Sequence, residues 1–375
     1  MIEFRNVKKK YKKNTVIDNF NLTIEKGKLV VLIGASGSGK TTLLKMINRL
    51  IPISDGQILI NGKDIYKMDP IELRRSIGYV IQQTGLFPHM TVKENIEVIP
   101  RLIGMSIDEI ERKTIELLNM VGLDPEIYSD RYPAELSGGQ QQRVGVARAF
   151  AAGAEIILMD EPFSALDPIT RAELQEELFN IQKEFNKTIV FVTHDMDEAI
   201  NIADKICILQ KGKIIQYDTP ENILKNPAGD YVEEFIGKNK IWSKPEFIRA
   251  EDVMISKPIS VSGSRNLLQA REIMRDKQVD SLLIVDKEKK LEGYITLEDI
   301  QNLKDKSLLI KDVMRKNPES VTENISLPDL LEIFNKLKRG YLPVCDKNRK
   351  LLGLITRSSL ISVLSSQYIE QGGDN

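Results

Sequence analysis

The stretch "GASGSGKT" at 34–41 follows the apolar run "KLVVLIG" and opens onto "TTLLKMINRL". A glycine-rich turn between a buried strand and a helix lets backbone N–H groups point inward, with the positive end of the helix dipole behind them. In that setting the G-x-x-x-x-G-K-[ST] pattern predicts a phosphate cradle built from Gly34, Ala35, Ser36, Gly37, Ser38, Gly39, Lys40, Thr41 and Thr42. Lys40 can reach the β- and γ-phosphates, and the Thr41 hydroxyl can coordinate Mg²⁺. The alternative is a Gly/Ser-rich turn that holds no ligand.

Such a cradle needs a sheet to stand on, and the chain supplies its strands. "SIGYVIQ" (76–82), "EIILMDE" (155–161) and "KTIVFVTH" (187–194) are short, β-branched and continuously apolar. They read as strands buried on both faces of a largely parallel sheet. Helical segments such as "PITRAELQEELFNIQKEF" (168–185) intervene, which is the α/β pattern. From about 86 to 150 the rhythm changes to helix after helix, an inserted helical subdomain.

Strand ends in open α/β sheets carry chemistry. "IILMDE" delivers Asp160 and Glu161 to such an end. Asp160 is expected to hold Mg²⁺ directly or through a bound water, and Glu161 is placed to polarise an attacking water; a solvated turn is the alternative. His194 ends the next strand and can hydrogen-bond a phosphate or position the base. A second anion-binding helix start appears at "LSGGQQQR" (136–143), with Ser137, Gly138, Gly139 and Gln140 at its N-terminus. One nucleotide does not need two cradles.

Beyond about residue 236 the pattern is different. "DVMISKPISV" (252–261) returns as "DVMRKNPESV" (312–321), and "SLLIVDKEKKLEGYIT" (281–296) as "YLPVCDKNRKLLGLIT" (341–356). The offset is 60 residues in both cases, with no gap. Units this small make weak cores alone, so two copies are expected to pack face to face. The expected organisation is a nucleotide-binding domain over 2–237, a linker over 238–249, repeats over 250–309 and 310–368, and a tail over 369–375.

At 375 residues the chain is long enough for two or three domains. Its formal net charge of -1 gives no reason to expect a nucleic-acid partner. Cys207 and Cys345 lie far apart without metal-ligand spacing and no signal peptide is evident, which suggests a reducing cytosol. No apolar run approaches the ~18–20 residues that cross a bilayer. Action at a membrane would therefore need a membrane-embedded partner.

The motifs "GASGSGKT", "LSGGQ", "ILMDEP" and "SALD", with His194 after them, resemble the nucleotide-binding subunit of an ABC transporter over about residues 1–236. The resemblance implies an ATP-hydrolysing P-loop NTPase core with Mg²⁺, working as a head-to-tail dimer of two copies. Ser137 and Gly139 would then contact the γ-phosphate held by the partner's P-loop, which accounts for the second cradle. It further implies Gln82 as a glutamine contacting Mg²⁺, Tyr11 as the aromatic stacking on adenine, and Asp167 as a contact to the partner copy.

"YVIQQTGLFPHMTVKENIEVIPRLIG" and "ILMDEPFSALDPITR" resemble, more narrowly, the ATPase subunits of importers for glycine betaine, carnitine, choline and proline betaine. The repeats look like an α+β tandem CBS pair. These resemblances imply a peripheral protein on the cytoplasmic face of the membrane, bound to permease subunits and served indirectly by a substrate-binding protein. An importer for another solute, or a soluble ABC ATPase, is the alternative. In the CBS pair Thr296 and Asp299 complete a ribose- and phosphate-binding pattern, whereas the second copy has Thr356 followed by Ser359. Some importers of this kind bind cyclic di-AMP between CBS modules, which implies Tyr341, Ile355, Thr356 and Arg357 as ligand contacts. A module that only stabilises a dimer is the other reading.

Overall fold

The computed structural model describes residues 1–361 except 13, 83–84, 165, 238–240, 242–243, 304 and 338–339. The expected tail at 369–375, the end of the expected second repeat at 362–368 and positions 238–240 and 242–243 of the expected linker lie outside the described residues. The chain divides into two compact units, Met1–Lys238 and Asn239–Asn375.

The first unit is built on a six-stranded sheet ordered Lys213–Asp218, Lys205–Gln210, Leu29–Ile33, Thr188–Thr193, Ile156–Asp160, Ile77–Val80. All neighbours are parallel except the outermost pair, 213–218 against 205–210. The strands Leu29–Ile33, Ile156–Asp160 and Thr188–Thr193 are buried at every position, as continuous apolar runs require when both faces are covered. Helices follow at Lys40–Ile47, Pro168–Phe185 and Met196–Ile202.

A second, four-stranded antiparallel sheet joins Asn14–Ile24, Ile2–Tyr11, Asp55–Ile60 and Lys63–Asp64. Its strands alternate between buried and exposed positions, and register shifts break the alternation after Phe4 and Val7. Such a mixed pattern lacks the continuous apolar runs that mark the parallel strands in sequence. Ile2, Phe4, Ile17 and Phe20 from this sheet share one core with Leu43, Ile47 and Leu158.

The inserted segment holds helices Val92–Leu102, Ile107–Met120, Pro125–Tyr128 and Gly138–Ala151. Thr91 and Glu94 close a capping box on the first of these. The last lies against strand Ile77–Val80. A Cβ on Gly78 would stand 2.2 Å from the Ala149 carbonyl, so only glycine permits this approach.

The second unit contains both repeats. Strands Ser260–Ser262, Ser281–Val285 and Leu291–Thr296 form one sheet with Arg315–Lys316, while Tyr341–Cys345 pairs with Leu351–Thr356. Two apolar cores form with the leading segments exchanged: Ala250 and Val253 of the first repeat pack with Leu330 and Ile355, and Ile310 of the second packs with Leu267 and Ile284, while Leu283, Leu291 and Cys345 form a seam between the repeats. The pairing carries an internal two-fold symmetry. Ile255 bridges Leu354, and Arg315 pairs with Tyr294; both members of the second pair are related to the first by the 60-residue offset.

Candidate functional site

The glycine-rich loop leaves strand Leu29–Ile33 and enters helix Lys40–Ile47. Gly37 and Gly39 adopt φ of 78° and 104°, a region that costs side-chain-bearing residues energy. A Cβ on Gly39 would also stand 2.5 Å from Ile17 Cδ1. Lys40 is buried, and its Nζ donates to the carbonyls of Gly34 at 2.7 Å and Ala35 at 3.2 Å. Burial pushes its pKa below the ordinary lysine value, against the pull of Glu161 and Asp160. Ser38 Oγ is buried in the same loop without a protein partner. A desolvated cation on carbonyls and an orphaned hydroxyl fit a polyphosphate, which would satisfy both.

Thr41 Oγ1 donates to Asp160 Oδ1 at 2.8 Å. Asp160 is 4% exposed, and burial raises its pKa, opposed by the Thr41 hydrogen bond and Lys45. A hydroxyl and a carboxylate already in contact are the ligand types Mg²⁺ prefers beside substrate phosphates.

Glu161 follows with φ of 47°, a left-handed backbone position. Its Oε2 accepts from Gln82 Nε2 at 3.0 Å and lies 3.4 Å from His194 Nδ1. Two neighbouring strand ends thus bring Gln82 and His194 to the one Glu161 carboxylate. The cleft around them measures about 610 Å³ and is lined by Gly37, Lys40, Thr41, Thr42, Gln82, Glu161 and His194, with Val16, Ser36 and Gly39.

Tyr11 does not line this cleft. It sits at a hairpin end, 44% exposed, with Lys9 Nζ 4.6 Å from its ring centroid. Val16 lines the cleft instead; a lone valine in a strand carries no signal that sequence reasoning could use.

Ser137 N-caps helix Gly138–Ala151 in a reciprocal box with Gln140, whose Nε2 also donates to Tyr128 Oη at 3.1 Å. Ser137, Gly139, Gln140 and Asp167 line a second cleft of about 570 Å³, while Gly138 is exposed. The two clefts share no lining residue. Asp167 caps helix Pro168–Phe185 by accepting from Ile169 and Thr170 backbone N–H groups, and the Thr170 interactions hold its carboxyl below the usual range.

Sequence reasoning missed Arg171. It donates to the Leu166 carbonyl at 3.1 Å and approaches Asp195 at 3.5 Å and Glu198 at 3.6 Å. Glu198 in turn accepts from Thr193 Oγ1, the residue before His194. The segment at Leu166–Asp167 is thereby tied to the His194 turn.

In the second unit Tyr341, Thr356 and Arg357 line a cleft of about 830 Å³ together with Lys257, Ile255 and Leu354. Ile355 is not among them. It is fully buried in the core of the second repeat, because alternation along Leu351–Thr356 turns it inward where Thr356 turns outward. The expectation that Ile355 packs against a ligand is corrected accordingly. Thr296 caps helix Leu297–Asn302 with Asp299, and Asp299 is held by Arg315 at 2.6 Å.

Residues 17–164 match the ABC transporter family, and 250–304 and 310–366 each match the CBS domain. The chain is 50% identical over 368 residues to the carnitine transport ATP-binding protein OpuCA of Listeria monocytogenes (serotype 1/2a, strain 10403S), spanning 97% of this chain and 92% of that protein. It is likewise 50% identical over 366 residues to the glycine betaine/carnitine/choline transport ATP-binding protein OpuCA of Bacillus subtilis (strain 168), spanning 97% and 96%. Among solved structures it resembles the dimeric post-hydrolysis state of the ATP-binding cassette MJ0796 bound to ADP and Pi. That likeness has a TM-score of 0.55 and 36% identity, covering 59% of this chain and 99% of the other.

Proposed function

The chain belongs to the ABC transporter family, among the ATP-binding subunits of quaternary-amine transport systems that carry a CBS pair, and on that premise we propose that it drives import of a compatible solute such as glycine betaine, carnitine, choline or proline betaine. The observation that carries the reading is Glu161 held between Gln82 and His194 beside the Lys40–Thr41–Asp160 group. Lys40 and the loop N–H groups hold the β- and γ-phosphates. Thr41 and Asp160, with Gln82, would hold Mg²⁺, which supplies charge neutralisation on the phosphates. Glu161 orients and deprotonates the attacking water, and His194 steadies that carboxylate or the γ-phosphate. Ser137 and Gly139 complete the site on a second copy.

The protein is peripheral, on the cytoplasmic face of the membrane, and docks on permease subunits fed by a substrate-binding protein. Reconstitution with its permease in proteoliposomes tests this. ATPase stimulated by a quaternary amine, with accumulation of that solute, supports the reading; stimulation only by another solute class moves the cargo, and none at all favours a soluble ATPase.

Control falls to the CBS unit. Cyclic di-AMP binds there at a two-fold interface between two chains and inhibits transport, with Tyr341 on adenine, Thr356 on ribose or phosphate, and Arg357 on a phosphodiester. The support is that all three residues line one cleft, with Lys257 as a further cation. Calorimetry on the full chain, with Arg357→Ala and an AMP control, decides it. No heat at micromolar cyclic di-AMP removes the ligand.

A further inference from the structure

The internal two-fold of the CBS unit makes two equivalent positions, and their chemistry differs. At one, Ile255 bridges Leu354 and the residue after Thr356 in the motif is Ser359. At the other, the 60-residue counterparts are Arg315, Tyr294 and Asp299, beside Thr296. The first opens into the 830 Å³ cleft. The second carries the complete ribose-binding motif, yet its acid is engaged. Arg315 Nη2 donates to Asp299 Oδ1 at 2.6 Å, and its Nε lies 3.2 Å from both carboxylate oxygens. The guanidinium also rests 5.8 Å from the Tyr294 ring centroid, and Tyr294 makes an edge contact with Tyr341 at 5.7 Å.

We propose that Arg315 is a built-in occupant of the first repeat's nucleotide position, so that the CBS unit admits ligand only on the Thr356–Arg357 side. A ribose binds such a motif by donating its two hydroxyls to the carboxylate. Here the guanidinium fills those acceptor sites with charge-assisted hydrogen bonds, which a neutral diol does not displace cheaply. The Asp299 side chain is 18% exposed against 56% for Arg315, and its Oδ2 also accepts from the Thr296 backbone N–H at 3.1 Å, so the acid stays at the ribose position with its acceptor sites taken. The Thr356 side has no such occupant at the corresponding place, since isoleucine and serine cannot form the pair. The residue that would betray the motif as blocked lies 16 positions downstream, outside the motif itself.

This inference rests on the reading that the CBS unit takes an adenine nucleotide, and its test separates the two. Equilibrium dialysis of AMP is run on the full chain, wild type and Arg315→Ala, with Arg315→Gln as a second neutral variant of near-equal size and Arg315→Lys as the variant keeping the charge. The expected result is one additional AMP per chain in the Ala and Gln variants, bound about tenfold or more tighter than anything Asp299-dependent in the wild type. Adding Asp299→Asn to Arg315→Ala should remove the gained site, and Arg315→Lys should resemble wild type. Folded Ala and Gln variants that gain no AMP overturn the proposal, as does wild-type AMP binding that disappears in Asp299→Asn. Cyclic di-AMP binding through Arg357 is scored separately, and its loss or survival leaves this count unchanged.

Discussion

Gln82 Nε2 donates to Glu161 Oε2 at 3.0 Å, joining the ends of two adjacent parallel strands, Ile77–Val80 and Ile156–Asp160. Gln82 lies two residues past the end of strand Ile77–Val80, ahead of the helical insert. His194 reaches the same oxygen from the third strand. The left-handed backbone at Glu161 is strain that the surrounding sheet pays for, as functional sites commonly do.

Glu161→Gln is expected to bind ATP normally while slowing hydrolysis roughly 10²–10⁴-fold, the usual worth of a general base. Uncleaved nucleotide should hold two copies together, visible by light scattering. Hydrolysis near the wild-type rate would remove Glu161 from this role.

Asp160→Asn should stabilise the nucleotide-free chain while abolishing Mg²⁺-dependent hydrolysis. Burial raises the folded pKa of Asp160 above the ordinary 3.8. A raised value means the folded state favours the protonated acid. That contribution is whole below 3.8 and is lost as pH rises through the folded value, so at neutral pH the ionised group costs stability. The variant should melt higher at pH 7, about 2–4 °C for each ~1 kcal/mol recovered, and the gain should shrink toward pH 3. A lower melting temperature at pH 7 would mean that the Thr41 and lysine contacts outweigh burial.

Mixing Ser137→Arg with Lys40→Ala should partly restore ATP-dependent dimerisation that each variant lacks alone. One heterodimer then keeps one intact P-loop facing one intact Ser137 segment. Within a single chain the two clefts share no lining residue, and this variant pair tests whether they meet across two copies. If Ser137→Arg alone dimerises and hydrolyses ATP normally, the segment has no role across an interface.

Arg171→Ala should lower kcat about tenfold or more with little change in KM for ATP, because it loosens the His194 turn without touching the phosphate loop. It also leaves Glu198, 6% exposed, short of its cation, which should cost about 1–3 kcal/mol in urea unfolding. Arg171→Lys should recover part of both. A matched rise in KM would point to nucleotide binding instead.

Local order along the chain was enough for Lys40, Thr41, Asp160, Glu161 and His194. Each is set by a buried strand and the residues that follow it, and the 60-residue repeat is visible by direct comparison. The antiparallel sheet was not legible, because half-exposed strands with register shifts lose the period that betrays them. Nor was Val16, whose place in the cleft comes from the way Asn14–Ile24 folds back on Ile2–Tyr11.

The CBS unit marks the division most sharply. Sequence offers a complete motif at Thr296 and Asp299 and an incomplete one at Thr356 and Ser359, which argues against ordinary AMP or ATP binding in the second copy, where the cyclic di-AMP contacts are expected. Only the tertiary structure brings Arg315 onto Asp299, by pairing it with Tyr294 across the two-fold, and turns Ile355 into the core while Thr356 faces the open cleft. A motif states which groups a segment offers. Whether they are free depends on charges that the fold delivers from elsewhere, since an ion pair forms by distance in space and leaves no trace in local spacing.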